Sequence, residues 1–161
     1  MVIFMLVSTL GFSAAAEGED FVIADFNSEE TITNWKLTPD TEITKLNPMS
    51  AKWICKDVGE TALAKAGDGM IPADWSGYGY VNMWIYSPEA YNAKMNVLVY
   101  TTEQNTEGAD KYHRFYLKID WRGWKLVSIP TWMFEYANKE EGETNSSWNA
   151  PINNFRLNVQ G

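Results

Sequence analysis

Short runs of alternating apolar and polar residues, separated by turn-forming clusters, recur from residue 21 to the end of the chain. A period of two places successive side chains on opposite faces of a β-strand. In 80–87, Val81, Met83 and Ile85 form an apolar row, and Tyr80, Asn82, Trp84 and Tyr86 form the opposite one. In 112–119, His113, Phe115, Leu117 and Ile119 oppose Tyr112, Arg114, Tyr116 and Lys118. In 95–101, Val97 and Val99 oppose Asn96, Leu98 and Tyr100. In 152–159, Phe155, Leu157 and Val159 oppose Arg156 and Asn158. Further strands are predicted at 21–26, 51–55, 61–65 and 124–129. Pro88 and Pro130 stop two of the strands, because proline donates no ladder hydrogen bond. Turn residues gather at 74–79, 103–111, 120–123 and 140–147. Helical periodicity is weak, and only 60–66 and 132–138 allow a short helical piece. Many short strands with regular turn signals predict an all-β chain. The expected architecture is a two-sheet antiparallel β-sandwich, a jelly roll, in a single domain.

The N-terminus follows a different pattern. Residues 1–12 are almost wholly apolar, small residues follow at Ser13-Ala14-Ala15-Ala16, and an acidic run begins at Glu17. This order predicts a signal peptide over 1–16, a domain over 17–161, and a secreted or cell-surface protein. The start lacks the Lys or Arg of a leader, and the alternative is a buried N-terminal strand or helix. The apolar run is shorter than the roughly 20 residues of a membrane-spanning helix. The last strand runs almost to Gly161, which suggests a domain truncated at its C-terminus or the N-terminal part of a longer modular protein.

The one cysteine, Cys55, lies in a strand-like stretch and reads as a core residue. A multi-cysteine metal site is excluded by count. The net charge of −8 argues against a grip on nucleic-acid phosphates or an anionic membrane. Aromatic residues make up 14% of the chain, with eight Trp and eight Tyr, an excess that either a core or a binding surface must explain. These rings offer flat faces with a polar edge.

The outward rows combine those rings with amides and guanidiniums, whereas ordinary solvent faces are rich in Lys and Glu. Such a surface marks an interaction site. A sugar suits it: pyranose C–H faces pack on aromatic rings, and hydroxyls take directed hydrogen bonds. The expected ligand-binding residues are Asn82, Trp84, Tyr86, Tyr100, Tyr112, Arg114, Tyr116 and Arg156. Arg114 and Arg156 also suit a uronate carboxylate. The alternative is that a loop or a neighbouring domain covers Trp84 and Tyr86. The turn tryptophans Trp75, Trp121, Trp124 and Trp132 are expected mainly to pin turns against the sandwich.

Three stretches carry a resemblance. Phe21-Val22-Ile23-Ala24-Asp25-Phe26-Asn27 resembles the opening "D-F-E" strand of jelly-roll carbohydrate-binding modules. Asp74-Trp75-Ser76-Gly77-Tyr78 with Val81-Asn82-Met83-Trp84-Ile85-Tyr86-Ser87 resembles their "D-(W/L)-S-G-Y … L-N-F-W-I-Y-S" segment. Asp120-Trp121-Arg122-Gly123-Trp124-Lys125-Leu126-Val127-Ser128-Ile129-Pro130 resembles their "D-W-x-G-W-K-L-I-x-I-P" turn and strand. The chain is thus similar to family-eleven-type, galactose-binding-like modules, and to the N-terminal sandwich domains of heparinase- and alginate-lyase-like proteins. The resemblance implies non-catalytic binding of a polysaccharide that targets an attached or partner enzyme. It leaves open a structural sandwich packed on a lyase or hydrolase catalytic domain. It also implies a structural calcium with Asp25 as a ligand. Asn27 stands where those modules carry Glu, and their last acidic strand is not present before Gly161.

Catalytic constellations are sparse. His113 is the sole histidine, and parity puts it with the apolar row, away from any hydroxyl it would activate. A lyase set of Tyr112, His113, Arg114 and Tyr116 fails to converge, because neighbours on a strand point to opposite faces. The acids fall mostly in loops and turns, not paired across a groove as glycoside hydrolysis requires. Asn145-Ser146-Ser147 is a glycosylation sequon.

Overall fold

The computed structural model describes residues 2–11, 20–57, 59, 61–65, 71–143, 148 and 150–160. In chain order the strands are β1 (Val2–Gly11), β2 (Phe21–Ala24), β3 (Thr38–Asp40), β4 (Ser50–Ile54), β5 (Thr61–Lys65), β6 (Tyr80–Ser87), β7 (Ala93–Gln104), β8 (Asp110–Ile119), β9 (Gly123–Pro130), β10 (Glu135–Ala137) and β11 (Ile152–Gln160). One short helix, α1 (Glu29–Asn34), lies between β2 and β3. The first sheet has the order β3-β4-β1-β6-β9, with β2 joining β1. The second runs β10-β8-β7-β11-β5. Every pairing is antiparallel. The described residues therefore form the expected all-β antiparallel sandwich.

The apolar rows meet between the sheets. Val81, Met83 and Ile85 of β6 and Val127 and Ile129 of β9 are buried on one side. Met95, Val97 and Val99 of β7 and Phe155 and Leu157 of β11 are buried on the other. Trp75 seals one edge: it is fully buried, stacks on Trp148 and Phe155, and donates its indole N–H to the Pro72 carbonyl at 2.9 Å. Of the four turn tryptophans it alone is fully enclosed, and Trp132 is 77% exposed.

Among the short elements, α1 and β10 depart from the sequence reading. Helix α1 was unforeseen, since six residues are too few to display a helical period. It is held by Ser28, whose hydroxyl accepts the Thr31 N–H, and by the fully buried Ile32. Strand β10 forms where a helical piece was expected. Buried Phe134 and Tyr136 flank exposed Glu135, a period of two that outweighs the short 3-10 turn at Thr131–Met133. Of the two readings open for 60–66, the strand predicted at 61–65 is the one that forms: β5 pairs along β11.

The backbone of Val2–Gly11, expected to be a leader, forms a strand in the first sheet. It pairs with β6 on one side and with β4 and β2 on the other. The Ala14-Ala15-Ala16 segment and the sequon at Asn145 lie outside the described residues.

Candidate functional site

The outer face of the second sheet carries a groove of about 320 Å³, near the lower end of ligand-site volumes. Register builds it rung by rung. Tyr112, Tyr100 and Asn154 are direct cross-strand neighbours on β8, β7 and β11. The next rung is Arg114, Leu98 and Arg156, and the one after is Tyr116, Asn96, Asn158 and Thr61 of β5. Strands lie about 4.8 Å apart, so the backbones of Arg114 and Arg156 stand about 10 Å apart across Leu98. Tyr100, Tyr112, Arg114, Tyr116 and Arg156, all expected from the sequence, line this groove together. Leu98, Asn96, Asn158, Thr61 and Gln160 complete it. The alternation did place Asn96, Leu98 and Asn158 on outward rows. Asn96 and Asn158 carry the same outward amide that marked Asn82 and could have been found by it, whereas Leu98 carries no polar or aromatic signal.

The side chains are fixed from below and from the side. The Tyr100 and Tyr112 rings stack with centroids 4.8 Å apart. Arg156 lies over Tyr100, its Cζ 4.0 Å from the ring centroid, and its Nε donates to Asn154 Oδ1 at 2.7 Å. Arg114 lies over Tyr116 at 4.7 Å, and its Nη2 donates to Glu135 Oε2 at 2.8 Å. Asn96 donates to Asn158, which in turn donates to Thr61. Burial raises the Tyr100 hydroxyl above its ordinary pKa, against the opposing pull of Arg156. The hydrogen bond to Glu135 raises the Arg114 guanidinium further still, so it remains a cation. Two buried atoms in the floor, Asn96 Oδ1 and Arg114 Nε, have no hydrogen-bond partner among the described residues. Each retains capacity for a polar ligand or water.

Asn82, Trp84 and Tyr86 do not join this groove. They stand on β6, on the outer face of the first sheet, on the far side of the sandwich. The single surface expected from the sequence is therefore two surfaces. Parity assigns a residue to one side of its strand, but it does not say which sheet the strand enters. On the first sheet, Tyr86 meets Trp124 edge to face at 5.4 Å, Lys45 lies over Trp84 at 4.7 Å, and half-exposed Leu126 is the cross-strand neighbour of Trp84. Trp124 is thus part of this aromatic surface, aimed there by the start of β9 at Gly123, whose φ of +85° suits glycine.

His113 faces the core, as parity predicted. It is 2% exposed, stacked against Trp148 at 3.8 Å and near Tyr136 at 4.9 Å. Burial pushes its imidazole down to about 4, so the ring is neutral at neutral pH. Asp25 lies at the end of β2. Its carboxylate accepts the Asn27 N–H at 3.2 Å, and its backbone carbonyl accepts from Asn47 at 2.6 Å. Among the described residues no cluster of three Asp, Glu, His or Cys side chains forms around it. No described helix is long and apolar enough to cross a membrane.

No family model matches the chain, and no curated protein or solved structure matches it significantly.

Proposed function

We propose that the protein binds a polysaccharide in the groove on the outer face of the second sheet, without transforming it. One observation carries this reading: five side chains singled out for stacking or polar recognition line one groove. Stacked tyrosines offer apolar ring faces. The amides and guanidiniums around them supply directed donors, which is the division of labour a sugar needs. The groove lining holds neither a carboxylate nor a histidine to act as acid or base. The test is retardation of the protein in gels containing a panel of plant, algal and animal polysaccharides, with Tyr100→Ala alongside.

A second role rests on the other sheet. Trp84, Tyr86, Trp124 and Leu126 form a partly exposed aromatic and apolar strip that suits packing on an adjoining catalytic domain. On this reading the two faces divide the work: one holds the glycan, the other holds the enzyme.

A further inference from the structure

We infer that the groove selects a carboxylated glycan, a polymer of uronic acid units, and that Arg156 is the residue that receives the carboxylate. The inference deepens the polysaccharide reading and rests on it. The chain carries a net charge of −8, yet the groove lining holds two arginines and no acid. Glu135 compensates Arg114 from outside the lining, so the cation of the groove without an ion-pair partner among the described residues is Arg156, opposite in sign to the molecule as a whole. A polyanion is repelled by the rest of the surface, so a bound one is held at a specific place rather than adsorbed.

The two arginines are not equivalent. Arg114 is already engaged by Glu135, which stands outside the groove lining and is largely exposed. Arg156 has no carboxylate partner among the described residues. Its Nε is tied to Asn154 and its plane rests on Tyr100. The Nε bond and the ring fix the plane, leaving the terminal nitrogens as the groups to meet an incoming anion. A fixed planar fork of this kind binds a carboxylate bidentately. A uronate also presents a C–H ring face, which the stacked Tyr100 and Tyr112 pair accommodates alongside. Glu135 competes for Arg114, so it weakens the second cation.

The test compares polygalacturonate with its fully methyl-esterified form and with dextran sulfate, using the full chain in affinity gels and calorimetry. The expected result is at least tenfold tighter binding to the acid than to the ester or the sulfate. Arg156→Gln should erase that tenfold difference, whereas Glu135→Gln should strengthen acid binding several-fold. Equal binding of acid and ester overturns the charge inference and leaves glycan binding standing. Preference for dextran sulfate overturns the carboxylate assignment. Failure of every glycan in the wider panel overturns both readings together. If Arg156→Gln does not fold, the comparison of acid with ester on the unmodified protein decides.

Discussion

Arg156 and Tyr100 come from different strands, β11 and β7, yet form one unit: the guanidinium carbon sits 4.0 Å from the ring centroid. The contact makes each a scaffold for the other. The ring holds the guanidinium plane, and the charge covers a ring that is only partly shielded from water. Replacing Tyr100 with Leu should therefore do more than remove a stacking face. Such a partly desolvated contact contributes about 1 kcal/mol, so a roughly fivefold loss of glycan affinity is expected beyond that of Tyr112→Leu. Parallel titrations of the two variants check it, and equal losses would show that the pair does not act as a unit.

His113 gives the fold a pH dependence of definite sign. Its folded value of about 4 lies below its ordinary 6.5, so folding favours the neutral ring. The contribution is complete above pH 6.5 and is lost progressively as the pH falls towards 4. The shift corresponds to about 3 kcal/mol at the acid end. Glu143, held low by its hydrogen bond from Lys111, acts further down the scale. Denaturant unfolding across pH 4–7 should show this slope, and His113→Leu should flatten it. An unchanged slope in that variant would assign the effect elsewhere.

Trp75 anchors the core from a loop. It touches Trp148 and Phe155 and bonds to Pro72. Trp75→Ala should cost about 3–5 kcal/mol, as large-to-small core changes do. Trp132→Ala, on an exposed ring, should fall within about 0.5 kcal/mol of the parent. Thermal melts of the two would separate a structural tryptophan from a surface one. Comparable melting points would contradict the packing described here.

Strand β1 lies on residues that the sequence reads either as a signal peptide or as a buried N-terminal strand. The same residues that look like a removable leader supply the neighbour shared by β4 and β6 and the sole strand partner of β2 among the described residues. A chain beginning at Glu17 should melt lower than the full chain and associate through the two exposed edges. Calorimetry with size-exclusion chromatography checks both. A monomer that melts as cooperatively as the full chain would show that the first sheet closes without β1.

Much of the architecture was legible because strands with one buried face announce it by alternation. Val81-Met83-Ile85 and Phe155-Leu157 were assigned inward from parity alone, and all five are buried. His113 was placed in the core by the same rule. What parity cannot encode is long-range pairing. Nothing local to Trp84 says that β6 enters a different sheet from β7, β8 and β11. Gathering Arg114, Leu98 and Arg156 on one rung depends on a register set between strands far apart in the chain. The short elements α1 and β10 escaped for a different reason. Neither is long enough for its period to repeat twice, and their conformation is fixed by burial of Ile32 and Tyr136.

The most direct test of the groove is a paired affinity measurement on one retained polysaccharide, with Tyr100→Ala and Trp84→Ala, both checked for native melting. A site on the second sheet predicts that Tyr100→Ala loses retention by tenfold or more while Trp84→Ala leaves it unchanged. The reverse pattern, retention lost with Trp84→Ala and kept with Tyr100→Ala, would contradict it and move the binding surface to the first sheet.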